Sequence, residues 1–249
     1  MIGLLRSELR KVTSTRMVLG LTLALVGYTA LNAAALVFFS GQQGAPPLTE
    51  PSVARAVYAS AGAGSVIVLV LGILGMTTEY RHMTITSTLL ATPRRGRVMV
   101  AKSAVFAVVG VIEGVIACVV GIGLAALLLP LKDHAPVDGS TIAAIAGGTL
   151  LAFAIYGILG ISVGALIRNQ IAAIIAALVW VLLVEALVVA LLPNVGKWLP
   201  GGAVSAILQT TSFSGTQYLP VWGGALLLAA YAVVLGAIAA ATTMRRDIT

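Results

Sequence analysis

The sequence predicts an all-α membrane protein with six transmembrane helices in a single domain, 1–249. Three observations carry this. Of 249 residues, 59% are hydrophobic and only 9% are charged, against roughly a quarter charged in a soluble domain. The apolar residues form continuous runs rather than alternating ones, as buried or lipid-facing helices require. The basic residues gather on alternate connections between those runs. Such a chain has too little polar surface for a water-soluble fold and too much apolar content for disorder. A crossing needs about 20 apolar residues, so this length accommodates six or so and no second soluble domain.

Residues 1–16 read as an amphipathic elbow helix. Ile2, Leu5, Leu9 and Val12 recur at helical spacing, with Arg6, Arg10 and Lys11 off that stripe, a pattern suited to the headgroup plane. Met17–Phe39 is long enough to span and is expected to remain as the first crossing. Residues 40–58, with Pro46, Pro47 and Pro51, are expected to form an irregular outer loop. Ser60–Thr78 is the second crossing, and residues 79–102 are a basic connection. Ser103–Pro130 is the third crossing, 131–141 a short outer turn, and Ile142–Ile167 the fourth. Arg168 marks the turn to the fifth, Ile171–Leu192. In residues 193–218, Pro193, Pro200, Gly201 and Gly202 break the chain, and Ala203–Thr210 is apolar but too short to cross. That predicts a re-entrant or interfacial outer hairpin before the sixth crossing, Leu219–Thr242, with an ordinary loop as the alternative.

Twelve of the fifteen basic residues fall on one side of this arrangement; Arg55, Lys132 and Lys197 fall on the other. The positive-inside rule then places both termini in the cytoplasm, which agrees with an even number of crossings because that returns the chain to its starting side; the cell membrane is the expected location. The net charge of +7 would suggest nucleic acid in a soluble protein. Beside apolar runs, anionic lipid headgroups and topology are the better reading, and no nucleic-acid partner is expected.

The chain shows no catalytic constellation. There is no phosphate loop: Gly196-Lys197 is followed by Trp198. Gly160-Ile161-Ser162-Val163-Gly164 matches G-x-S-x-G, but it lies inside an apolar helix, with His82 and His134 on opposite sides of the membrane. Gly160 and Gly164 read as a close-packing pair, as do Gly110 and Gly114. Glu79 and His82 supply one copy of a spacing that metal sites use in pairs, and the lone Cys118 forms no framework, so no metal is expected. Glu113 and Glu185 lie inside crossings, where an ionised and unpaired carboxylate costs about 3 kcal/mol. They are candidate pathway residues, or protonated or locally hydrogen-bonded groups at helix interfaces, and the sequence leaves both readings open.

The most informative stretch runs from Glu79-Tyr80-Arg81 through Thr84, Leu89-Leu90-Ala91-Thr92-Pro93-Arg94-Arg95 and Arg97 to Lys102. Its hydroxyl residues can cap a short surface helix that Pro93 ends, followed by a basic turn. It serves either as a lipid-facing loop or as a docking knob for a cytoplasmic partner.

With the elbow, six crossings and the broken outer segment, this stretch resembles the permease subunits of type-2 ATP-binding-cassette (ABC) exporters. The resemblance covers the whole chain. It implies a cytoplasmic coupling helix seated in a groove of an ATPase subunit, with Glu79, Tyr80, Arg81, Thr84, Leu89 and Arg94 as its coupling residues. Glu8-Leu9-Arg10-Lys11 is similar to the family's elbow, with Arg10 and Lys11 as its candidate residues. It further implies two copies of a separate ABC ATPase carrying ATP and Mg, a second permease chain, and no cofactor or enzymatic activity on this chain. The expected function is export of an amphipathic or hydrophobic substrate, whether drug, lipid or peptide. The rivals are an ion-coupled secondary transporter, which would need inverted repeats and discontinuous helices, and a non-transporting subunit of a membrane complex.

Overall fold

The computed structural model describes residues 2–42, 44–84, 95–210 and 217–242. The described residues are all-helical, and six of their helical stretches are long and apolar enough to cross a membrane, the architecture of a multi-pass membrane protein. A short amphipathic helix, α1 (Ile2–Thr13), precedes α2 (Arg16–Phe39). Next come α3 (Pro51–Ala59), a 3-10 turn (Ser60–Gly64) and α4 (Ser65–Arg81), then α5 (Arg95–Leu128) and α6 (Gly139–Ile167). The fifth span is composite: α7 (Gln170–Leu178), a π-helical turn (Val179–Val184) and α8 (Glu185–Leu191). Two short helices, α9 (Pro193–Gly196) and α10 (Pro200–Ile207), precede α11 (Val221–Thr242).

α6 is the central helix and packs on α4, α5 and α11. It is apolar on every side, as suits a helix that is mostly buried, with Gly147 and Leu151 facing outward near its start. Its glycines allow backbones to touch. A Cβ on Gly160 would lie 2.8 Å from the Cα of Gly72 in α4, and one on Gly110 of α5 would lie 2.8 Å from the carbonyl carbon of Phe153. Ile73, Ile145, Phe153 and Ile161 are sealed in this centre. α3–α4 and α6 are mostly buried, whereas α2, α7–α8 and α11 turn most of their surface outward. The Gly160/Gly164 and Gly110/Gly114 pairs therefore pack helices. Ser162 within them donates to Ile158 O at 3.0 Å, inside its own helix.

The helix ends follow local chemistry. Asp138 caps α6 by accepting from Thr141 N at 2.9 Å, and Asn169 caps α7 by accepting from Ala172 N at 3.0 Å. Hydrogen bonds from Ser140 and Thr141 hold the exposed Asp138 carboxyl well below its ordinary range. At the end of α2, Lys132 donates to the open carbonyl of Val37 at 2.8 Å and lies 6.0 Å from the Phe38 ring, as a cation should at a helix C-terminus.

Two boundaries differ from the sequence expectation. Residues 51–59 are helical and lead into the second span rather than belonging to an irregular loop. Pro51 at the first helical position presets the turn, and Val53, Ala54 and Val57 bury one face. The basic turn expected before the third crossing is instead the opening of α5. Val98, Lys102, Val105 and Val109 continue one buried stripe at helical spacing, so packing carries the helix through the charged residues.

Candidate functional site

Where α1 meets the end of α4 and the start of α5, the structure contains a buried ionic quartet. α1 contributes Glu8 and Lys11, the last turn of α4 contributes Glu79, and the second turn of α5 contributes Lys102. Lys102 Nζ lies 2.5 Å from Glu8 Oε2 and 2.8 Å from Glu79 Oε1. Lys11 Nζ lies 2.7 Å from Glu8 Oε1 and 2.7 Å from the same Glu79 oxygen. Two acids and two bases alternate around a ring joining three helices that are far apart in sequence.

Burial decides how much this ring matters. The Lys102 and Glu8 side chains are each 1% exposed and that of Glu79 is 6% exposed, whereas Lys11 is 42% exposed. Burying a charge is costly unless it is paired and hydrogen-bonded, so each inner member depends on the others. Lys11 is the half-open member. Partial burial acts to lower its pKa, but hydrogen bonds to Glu79 and Glu8 outweigh this and leave it raised. Glu79 Oε2 is buried and accepts no hydrogen bond. Beneath the quartet lies a cavity of about 330 Å³ between the α1–α2 corner and α4, walled by Val12, Met17, Leu71, Thr78 and Phe106 among others.

Each helix presents its member for a legible reason. In α1 the protein-facing residues are Leu5, Glu8 and Val12, while Leu9 is 45% exposed. The stripe expected from Ile2, Leu5, Leu9 and Val12 therefore divides, Leu5 and Val12 facing the bundle and Leu9 facing outward. In α4, Glu79 continues the buried positions Gly72 and Met76 at helical spacing.

The candidate coupling residues occupy distinct places. The Glu79 carboxylate is turned inward, toward Lys102. Tyr80 lies under Arg168, whose guanidinium carbon is 5.6 Å from the ring centroid. Arg81 and Thr84 are exposed, with Arg81 Nη1 3.5 Å from Gln170 Oε1 and Thr84 Oγ1 3.5 Å from Glu79 O. Leu89 and Arg94, with the expected surface helix itself, lie outside the described residues. Of the elbow pair, Lys11 joins the quartet and Arg10 is exposed. The four described coupling candidates, Glu79, Tyr80, Arg81 and Thr84, thus gather around the end of α4, with the α6–α7 turn beside them.

In the sequence, Glu8 and Lys102 are marked only as members of motifs, not as site residues. A signal for both was present. Each is a charged residue on an otherwise apolar stripe, which calls for an opposite charge on a neighbouring helix.

The two intramembrane acids sit apart from the quartet and from each other. Glu113 Oε1 lies 2.6 Å from Thr22 Oγ1, bridging α5 to α2. Glu185 Oε2 accepts from Gly201 N at 2.6 Å, capping α10 from another helix. Both are buried, at 4% and 3% exposure. No protein-family model matches the chain, and no curated protein matches it in sequence.

Proposed function

We propose that the chain is the membrane-spanning permease subunit of an ATP-driven ABC exporter, with both termini in the cytoplasm and the 85–94 segment docked on a separate ATPase. The single observation supporting this is the quartet. It ties the elbow helix to both stems of that segment, Glu79 in the helix before it and Lys102 in the helix after it. A push on the segment then reaches three helices as one body. ATP can bias two conformations only if docking contacts differ between them, and a rigid mount makes such a difference felt in the bundle.

In this reading Arg81 and Thr84, with Leu89 and Arg94, face the ATPase, while Glu79 acts through Lys102 and Lys11 as a positioning residue. Tyr80 secures the stem against Arg168. The outward-turned α2 and α7–α8 would meet a second permease chain, with the outer α9–α10 segment re-entrant between them.

Copurification tests the class. The expressed chain is expected to capture an ATPase with a phosphate loop, and Arg81→Ala is expected to lower transport-linked ATP turnover without loss of membrane insertion. Transport that follows an ion gradient in vesicles without ATP, and no captured ATPase, would establish the secondary-transporter rival instead.

A further inference from the structure

A second cavity, of about 330 Å³, lies between the fifth span, α6 and α11. Its walls are almost wholly apolar, with Leu159, Trp180, Tyr231 and Leu235 among them, and Glu185 is the one charged residue among the described residues that line it. The volume falls in the range of small-molecule sites, which pair apolar and aromatic walls with a few placed polar groups.

Glu185 is poorly satisfied for a group so deep. One oxygen takes the Gly201 amide. The other is buried without a hydrogen bond of normal geometry, although the Trp180 side chain lies beside the carboxylate. None of the ion pairs among the described residues involves Glu185. The quartet matches each of its charges with an opposite one, and Glu113, although it has no ion pair either, takes a side-chain hydroxyl from a neighbouring helix. Glu185 has no such match and faces a void lined with aromatic rings. A carboxylate of this kind favours a cation, and aromatic faces favour one whose charge is spread over an apolar body.

We propose that this cavity binds a lipophilic monocation, with Glu185 as its counter-ion and Trp180 and Tyr231 against its apolar surface. As the substrate class of the proposed exporter, this rests on the export reading, but the binding step itself needs no ATPase. The cavity shares Tyr156 and Val181 with a larger one of about 590 Å³ that reaches Tyr28 and Asn32 of α2, which gives a bound cation a neighbouring volume to move into.

The test is equilibrium binding of tetraphenylphosphonium to the full chain in nanodiscs, with empty nanodiscs subtracted and neutral triphenylphosphine oxide as the comparison. Glu185→Gln keeps an acceptor for Gly201 and is expected to weaken the cation at least tenfold while leaving the neutral probe unchanged. Leu235→Trp, which fills the cavity from α11, is expected to weaken both. No cation binding above empty nanodiscs, unchanged cation binding in either variant, or equal loss of both probes in Glu185→Gln would overturn the proposal. Because the binding assay contains no ATPase, its failure leaves the export reading standing. A failed copurification leaves the cation site standing.

Discussion

A lysine ammonium without water around it requires counter-ions, and Lys102 has two, Glu8 and Glu79. Breaking a buried ion pair on one side costs about 3–5 kcal/mol, because the abandoned charge stays buried. Lys102→Met is therefore expected to destabilise the protein by roughly that amount, read from denaturant unfolding in detergent micelles. Glu8→Leu combined with Lys102→Met removes one charge of each sign. The double variant should recover part of the loss, with a coupling energy of about 1–3 kcal/mol. Strict additivity would show that the ring is not a cooperative unit. Lys11, being half exposed, is expected to matter least of the four, since a solvated pair contributes little.

At the scale of elements, the bundle depends on glycine contacts along α6. Gly160 faces Gly72 so closely that a methyl group there meets backbone, which cannot rotate away. Gly160→Ala should therefore cost about 1–3 kcal/mol by overpacking. Gly147→Ala lies on the same helix with nothing within 4 Å. It should be neutral or slightly stabilising, since alanine is the better helix former. Thermal unfolding of the two variants side by side decides the matter, and equal effects would mean that α4 and α6 are less tightly joined than their backbones indicate. Two helix starts are settled at this scale too: Pro51 opens α3, and Asp138 caps α6.

For the whole molecule, the placement of charge predicts topology. With Cys118 replaced by alanine, a cysteine at Ser14 should react with an impermeant maleimide only in permeabilised cells, and one at Gln42 should react in intact cells. The reverse pattern would invert the assigned orientation. Six spans were legible in the sequence because apolar length and continuity are one-dimensional signals, and six such helical stretches are present among the described residues. What was not legible depends on three dimensions. The helical start of α5 was hidden because Arg95, Arg97 and Lys102 resemble a surface turn until Val98 and Val105 are seen to share the face of Lys102. The inward turn of the Glu79 carboxylate was hidden because its partners lie 68 and 23 residues away. Glu113 and Glu185 had two open readings, and their contacts differ: a hydroxyl on a neighbouring helix for one, a helix N-terminus beside an apolar void for the other.

The quartet sums to zero formal charge. A lone lysine carried through the transmembrane potential would do or require work of about 2.3 kcal/mol per 100 mV. Two lysines and two glutamates travelling together as a compact body do almost none. The quartet itself therefore adds almost nothing to the voltage dependence of any movement of α1, α4 and α5, which is left to the other charges those helices carry, such as Arg6, Arg10 and Arg81.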